Sequence, residues 1–387
     1  MTGIGTVPIR PVKSGRPWDL RIGLNGTIGE ERMRRARFAL VGCGNISKKH
    51  MQVIQNHVPN GAVVAVCDKI KERAESYGRT YNIPAFTDVH EMMETVGDHV
   101  DIVNILTPSG IHYQNVIDLV QYRKPLVVEK PIALRLEEAD QILRECDRHG
   151  IKIFVVHQNR YNRPIVQAMK AMRNGRFGKL VMGTVRVRWK RDQAYYDAEN
   201  WRGTWAYDGG VFTNQASHHI DMLTWFMGDV ESVNAVGVTR LARIECEDTG
   251  AAILRFRNGA IGIIEATTAA RPKDLEGSIS ILGEKGSAEI GGFFMNELKT
   301  WVFEDHQPID DVVFREHGKN PPDVWGYNLA EYLKDVVAAI ENNRGGLVDG
   351  LEGRKSLELI SAIYESIETG REIALRFTPR QCKLGVL

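Results

Sequence analysis

No stretch of this 387-residue sequence approaches the roughly 18 consecutive apolar residues that a membrane-spanning helix needs. The first twenty residues, MTGIGTVPIRPVKSGRPWDL, lack the apolar core of a secretory signal, which points to a cytoplasmic protein. Cysteine is scarce: five residues, an odd number, widely spaced and mostly inside apolar runs. That argues against a disulfide framework and predicts reduced, buried thiols. HExxH and paired CxxC motifs are missing, so no metal site is expected. Neither sign of charge is in excess. The 50 Lys and Arg stand against 49 Asp and Glu, which argues against nucleic acid or an anionic membrane as partner. There is no internal repeat and no long low-complexity segment. What remains is 43% hydrophobic and 26% charged, the composition of a soluble globular chain long enough for two domains.

Residues 1–36 are rich in Gly, Pro and Arg and end in EERMRRA. They read as an extension, either packed on the surface or a neighbouring subunit, or a disordered tail. From Arg37 a regular pattern begins. Apolar runs of strand length (RFALV, AVVAVCD, VDIVNILTP, PLVVEKP, IKIFVVHQ) alternate with helical segments such as KERAESYGRTYN and RLEEADQILRECDRHG. This alternation predicts an α/β fold whose N-terminal domain, residues 37–158, is a doubly wound parallel sheet of the Rossmann type.

The turn 42-GCGNIS-47 follows the first strand and opens the first helix, the context a dinucleotide fingerprint requires. Gly42 permits the tight turn, and Gly44 lets backbone approach a pyrophosphate on the helix N-terminus. Ser47 stands where Gly or Ala is usual but is small enough for close packing. Asp68 ends the second strand and would accept hydrogen bonds from ribose hydroxyls while repelling a 2′-phosphate. That favours NAD over NADP, with Lys69 and Lys71 as the opposing signal. Ligands of such sheets lie at the carboxyl ends of the strands. Thr107, Pro108 and His112 follow the third of these strands and Glu129-Lys130-Pro131 the fourth, so both loops border the nicotinamide end. His112 could instead be a helix-start residue. Lys130 is fixed in extended geometry by the proline after it and is a candidate acid/base group, or else a surface lysine at a strand end.

The strand–GCGNIS–helix unit, the TPSGIH loop, the EKP tripeptide and the later GG…H…D segment together resemble the Gfo/Idh/MocA oxidoreductases, over about residues 37 to 370. The resemblance implies a catalytic role for Lys130 and a cis bond before Pro131. Cofactor contacts are expected at Gly42, Gly44, Asn45, Ile46, Asp68, Thr107, Pro108, His112, Glu129 and Gln158. It also implies a second domain, residues 159–387, of α+β type with a large, open, mainly antiparallel sheet whose outer face joins subunits into a homodimer or homotetramer. The sequence fits: KLVMGTVRVRWKR, VESVNAVGVTRL, TGAAILRFRN, AIGIIEATTAA, GSISILGE, GSAEIGG and LKTWVFE are strand-like runs with turns between them.

The segment 157-HQNRYNRP-164 suits either a substrate-facing role, with Arg160 and Asn162 as ligands, or an interdomain hydrogen-bond network. The aromatic and charged stretch 189–210 could cover a sugar ring or contact a subunit. In 214-NQASHHIDML-223, a helix would put Asn214, His218 and Asp221 on one face. His219 would be turned about 100° away to pair with Gln215. Aligned on the family's motif, Asn214 takes the place of its Asp and Ala216 that of a common Gly. A carboxamide can orient a sugar hydroxyl but takes no proton, leaving Lys130 and His218 as proton-handling candidates. NQ-x-x-HH together with QNRYN looks most like the sugar-nucleotide branch, which oxidises carbon 3 of UDP-N-acetylglucosaminuronate or UDP-N-acetylglucosamine. Inositol or free-sugar oxidation is the alternative, with NAD-dependent glycoside hydrolysis or a non-catalytic sensor behind it.

Overall fold

The computed structural model describes residues 36–321, 326–375 and 384–385. The extension read over residues 1–36 lies outside them except for Ala36, which already begins the first strand.

Six strands form a wholly parallel sheet in the order β3-β2-β1-β4-β5-β6. They are β1 (Ala36–Val41), β2 (Gly61–Cys67), β3 (Ala85–Phe86), β4 (Ile102–Ile105), β5 (Leu126–Val128) and β6 (Ile153–Val155). Between them run α1 (Asn45–His57), α2 (Lys71–Tyr81), α3 (Val89–Val96), α4 (His112–Leu119) and α5 (Leu136–His149). Every residue of β4, β5 and β6 is buried. Such unbroken apolar runs are what helices on both sheet faces demand. The strand order reverses between β1 and β4, and that switch point opens a crevice at the carboxyl ends of the strands. The two-residue β3 is too short to carry a periodic signal, and the sequence reading passed over it.

The second half contributes α6 (Arg163–Arg173), β7 (Leu180–Arg188), α7 (Gln193–Asp197), α8 (Ser217–Met227), β8 (Val230–Val238), β9 (Thr249–Phe256), β10 (Ile261–Thr267), β11 (Glu276–Gly283), β12 (Gly286–Gly291) and β13 (Glu297–Phe303). Then come α9 (Pro308–His317), α10 (Gly326–Glu341), α11 (Gly350–Thr369) and β14 (Ile373–Ala374). The sheet runs β13-β12-β11-β7-β10-β9-β8-β14 and is antiparallel except where β7 meets β10. Burial alternates along β7, β9 and β10, so one face is covered and the other open. Helices α8 and α11 cover the inner face closely. A side chain at Gly183 of β7 would strike Leu223 and Met227 of α8, and one at Gly237 of β8 would strike Ile367 of α11.

Helix α11 serves both sheets. Leu357, Leu359, Ile360 and Ile363 are fully buried, each worth about 1.5–3 kcal/mol. Its Arg354 reaches Asp140 of α5 at 2.5 Å, and Gly353 lies against Val155 of β6. Among the described residues Cys43, Cys67, Cys146 and Cys246 are free and buried, as the sequence predicted. Burial pushes the thiols of Cys43, Cys67 and Cys146 up to about 12, so they are unreactive packing groups.

Gly353→Ala tests the fit of α11 on β6. Alanine gains about 1 kcal/mol of helix propensity, but its Cβ would lie 2.4 Å from a Val155 methyl. Overpacking costs about 1–3 kcal/mol, at the upper end here because a strand residue cannot retreat. Urea denaturation should show a net loss of about 1–2 kcal/mol at unchanged m-value.

Candidate active site

The glycine turn is built by backbone geometry. Gly42 sits at φ +99°, its N–H donates to Cys67 O at 2.7 Å, and a Cβ there would collide with Leu106 O. Only glycine fits. Gly44 has open space where a Cβ would point, and no side chain caps α1. The first N–H groups of that helix are therefore available to an anion. Ser47 is buried and its hydroxyl donates to Gly42 O, bracing the turn. Asp68 is drawn to the lip of the same turn, accepting from Cys43 N–H at 2.7 Å and Ile70 N–H at 2.8 Å. A carboxylate has lone pairs beyond those two bonds. These features fit a dinucleotide: an uncapped helix N-terminus, a loop without side-chain bulk and a carboxylate one strand away. Lys71 pairs with Glu75 on α2 at 3.7 Å.

Two of the expected cofactor contacts are otherwise engaged. His112 is neither exposed at a helix start nor open to a ligand. It is fully buried, with its ring nitrogens 2.8 Å from Pro131 O and 2.9 Å from Thr107 O, so it ties the β4 and β5 loops together. Glu129 is turned inward to His50 Nε2 at 3.0 Å, and its other oxygen accepts the Lys130 N–H. Burial favours its protonated form, but His50 and Lys130 hold it below the usual carboxylate range. Thr107 donates its hydroxyl to Asn115. Gln158 keeps a buried Oε1 without a protein partner at the end of β6.

Lys130 follows β5, with a cis bond to Pro131. Its Nζ donates to the main-chain oxygen of Asn214 at 2.5 Å. Burial pushes its pKa down, against the charges of Glu129 and Asp208. Asn214 is not on α8. Residues Val211–Gln215 form a single π-helical turn, closed by Ala216 N–H donating to Val211 O, and α8 starts only at Ser217. The cause lies beneath it. The Glu247 main chain accepts from Val211 N–H, its carboxylate accepts from Phe212 N–H, and that carboxylate occupies the place of any side chain at Gly210. Widening the turn presents the Asn214 carbonyl to Lys130.

The Asn214 side chain donates to a carboxylate oxygen of Asp208 and accepts from Gln215 Nε2 at 2.9 Å. Asp208 is 2% exposed, and its second oxygen accepts from Gly203 N–H at 2.7 Å. Burial raises its pKa to about 6 despite these bonds and the nearby Lys130 and Arg202. His218 stands edge-on to His157, ring centroids 5.8 Å apart, and its Nδ1 has no protein partner. Burial, Lys130 and His157 hold its pKa well below the usual range, so the ring is neutral. His219 does not pair with Gln215, whose amide bonds Tyr195 and Asn214. It packs edge-on to Trp189, and burial lowers its pKa to about 3.

Arg160 and Asn162, expected either as ligands or in an interdomain network, make internal ties. Arg160 is 2% exposed; Nε and Nη2 meet Asp221 at 2.9 and 2.6 Å, Nη1 meets Glu352 at 2.9 Å, and the guanidinium lies over Trp225. Asn162 donates to Phe294 O and Met295 O and accepts from Asn328. In the stretch 189–210, Arg191 and Arg202 lie 5.3 and 4.2 Å from the Tyr195 ring centroid. This stretch crosses to the parallel-sheet half, with Tyr207 O accepting from Gly110 N–H and Glu199 pairing with Arg73. The sequence reading missed Asp208, Glu247, His157 and Gly110. Only Asp208 carries a legible signal, an acid set directly before paired glycines.

Residues 36–157 match an oxidoreductase family, GFO_IDH_MocA, in its NAD-binding Rossmann fold, and residues 169–375 match its C-terminal alpha/beta domain. Among solved structures the chain is similar to the WlbA dehydrogenase from Bordetella pertussis in complex with NADH and UDP-GlcNAcA. Identity is 41% and the TM-score 0.85, over 89% of this chain and 98% of that one. The Chromobacterium violaceum WlbA dehydrogenase, with the same two ligands, is 37% identical at a TM-score of 0.83, over 89% and 97%. The myo-inositol 2-dehydrogenase of Thermotoga maritima is 25% identical over 353 residues, 88% of this chain and 98% of its own.

Truncating Asp221 to Ala leaves the buried Arg160 guanidinium with Glu352 as its one carboxylate partner, and breaking a buried pair costs about 3–5 kcal/mol. Thermal unfolding of that variant should shift far more than that of a variant at exposed Glu137; an unchanged transition would reopen Arg160 as a ligand.

Proposed function

The chain belongs to the Gfo/Idh/MocA oxidoreductase family, and on that premise we propose that it oxidises a secondary hydroxyl of a UDP-N-acetylhexosamine or its uronate. Carbon 3 is the reacting centre, and the ketone formed serves amino-sugar synthesis for surface polysaccharide. The observation that carries the substrate class is the 41% identity, across 98% of its length, with a dehydrogenase whose complex holds UDP-GlcNAcA. Asn214 in place of a carboxylate points the same way. Free inositol or another sugar is the second reading, favoured by the inositol dehydrogenase likeness over 88% of the chain. Four buried free thiols support a cytoplasmic setting.

Gly42, Gly44, Asn45 and Ile46 would hold the NAD pyrophosphate on the α1 N-terminus, and Asp68 the adenosine ribose. Thr107, Pro108 and Gln158 would border the other end. Bound NAD supplies the hydride acceptor. Lys130 takes the hydroxyl proton: its lowered pKa gives it a larger neutral fraction than an ordinary lysine has. His218, neutral and with an unpaired Nδ1, orients the hydroxyl. Asn214, held on both sides, fixes the floor beneath them. Such alignment contributes more than base strength.

The outer face of the large sheet supports a homodimer or homotetramer. Val236, Ile253, Ile261, Leu282 and Val302 are each more than a third exposed there, beside an Arg188–Glu265 pair at 2.6 Å. Wild-type protein should elute as a dimer or larger in light-scattering chromatography, and Ile253→Glu should shift it toward monomer.

Adding UDP-N-acetylhexosamines and NAD should raise the reduced-nicotinamide absorbance; a response to free inositol alone would move the assignment to the second reading. Lys130→Met should lower turnover at least about 100-fold while NADH binding persists. Because Lys130 must be neutral to accept the proton, kcat/KM for oxidation should rise with pH through a limb below the ordinary lysine value of about 10.4. A limb at the ordinary value would remove Lys130 as base.

A further inference from the structure

We propose that Asp208 is the positioning carboxylate of this active site, acting through the Asn214 side chain to hold the charge state and place of Lys130. The inference rests on the reading of Lys130 as the proton-handling group. The carboxyl missing at position 214 is supplied six residues earlier, one hydrogen bond away.

Three observations converge on Asp208. Its two oxygens are spent on Asn214 Nδ2 and Gly203 N–H, so its position is fixed. Lys130 and Asp208 feel each other's charge, and Lys130 Nζ bonds the main chain of the very residue whose amide Asp208 grips. Glu129, the other acid acting on Lys130, already accepts from His50 and from the Lys130 N–H. That leaves Asp208 as the carboxylate set across the site from it. The groups that surround Asp208 are few: Lys130 from the β5 loop, Arg202 from its own loop, Tyr196 from α7, and Cys246 and Glu247 from the segment before β9. Burial raises Glu247 to about 7 and keeps Tyr196 and Cys246 protonated, so at neutral pH Asp208 faces the cations Lys130 and Arg202 and a partly ionised Glu247.

Exchanging the two side chains keeps the ties and moves the charge. In Asp208→Asn with Asn214→Asp, the amide at 208 can donate to the carboxylate at 214 and accept from Gly203, and the carboxylate can accept from Gln215. Every hydrogen bond survives, and the charge moves one step toward the Lys130 contact. In Asp208→Asn alone the charge is lost, and the single amide oxygen must serve both donors, Asn214 Nδ2 and Gly203 N–H. Losing the charge disfavours the ammonium form, so the Lys130 pKa must fall.

The test needs no substrate. Competitive acetylation of the full-length protein across pH, read at Lys130 by mass spectrometry, gives the midpoint directly. Asp208→Asn should lower that midpoint by about one pH unit, and the exchange variant should restore it to the wild-type value or above. A midpoint unmoved in Asp208→Asn, or one that the exchange fails to restore, overturns the assignment whatever the sugar proves to be. In turnover assays the acid limb of kcat/KM should move to lower pH with the labelling midpoint. A limb that stays in place while turnover falls marks a merely structural role and also overturns it. An absent wild-type turnover with every hexosamine would count against the proposed substrate and leave the labelling result standing.

Discussion

A guanidinium cannot be left bare in a protein interior, and Arg160 is placed where three elements must meet to satisfy it. It leaves the turn after β6, takes both oxygens of Asp221 on α8, and reaches Glu352 on α11. An ion pair of this kind adds little net stability over apolar packing, but its geometry is demanding and its rupture expensive. Its effect is on register. With α8 held to the end of β6, His218 meets His157 edge to face, and both lie within the field of Lys130. The crevice of the parallel sheet and the cover from the open sheet are brought to one point by this contact.

The second controlling feature is a departure from regular structure. Had the helix run unbroken from Val211, the Asn214 carbonyl would be occupied by a helical hydrogen bond. Glu247, buried under the turn, takes two N–H groups and widens it instead. Lysine, two neutral histidines and an aspartate titrating at about 6 are then packed together in a largely buried cluster, the setting in which small displacements of charge have large effects on protonation.

Much of this was legible in the sequence. Apolar runs of strand length separated by helical segments gave the parallel sheet, and the glycine turn with Asp68 located the cofactor cradle, because those signals are local. The open sheet was legible for the same reason: RNGA and GEKGS mark hairpins that the structure contains. For Arg160 and Asn162 the sequence left two readings open, because a polar segment at a strand's carboxyl end looks alike whether it faces a ligand or a neighbouring helix. Nothing within 157–164 announces Asp221, Glu352 or Asn328, which arrive from up to 192 residues away. The π turn was hidden in the same way, since its cause is a residue 32 or more positions downstream of it. His112 and Glu129 lie in the loops expected of them, with side chains engaged by buried partners that no local signal announces.

Helix α11 is built into both sheets at once, against Val155 of β6 on one side and Gly237 of β8 on the other. A hinge between the two halves would have to open along that helix and strip apolar side chains from one sheet or the other. Breathing of the crevice therefore falls to its loops. Within the 189–210 stretch, Glu199 and Tyr207 rest on the parallel-sheet half through the Arg73 pair and the Gly110 amide, contacts that break at far smaller cost, while Trp189, Tyr196 and Asp208 stay buried beneath.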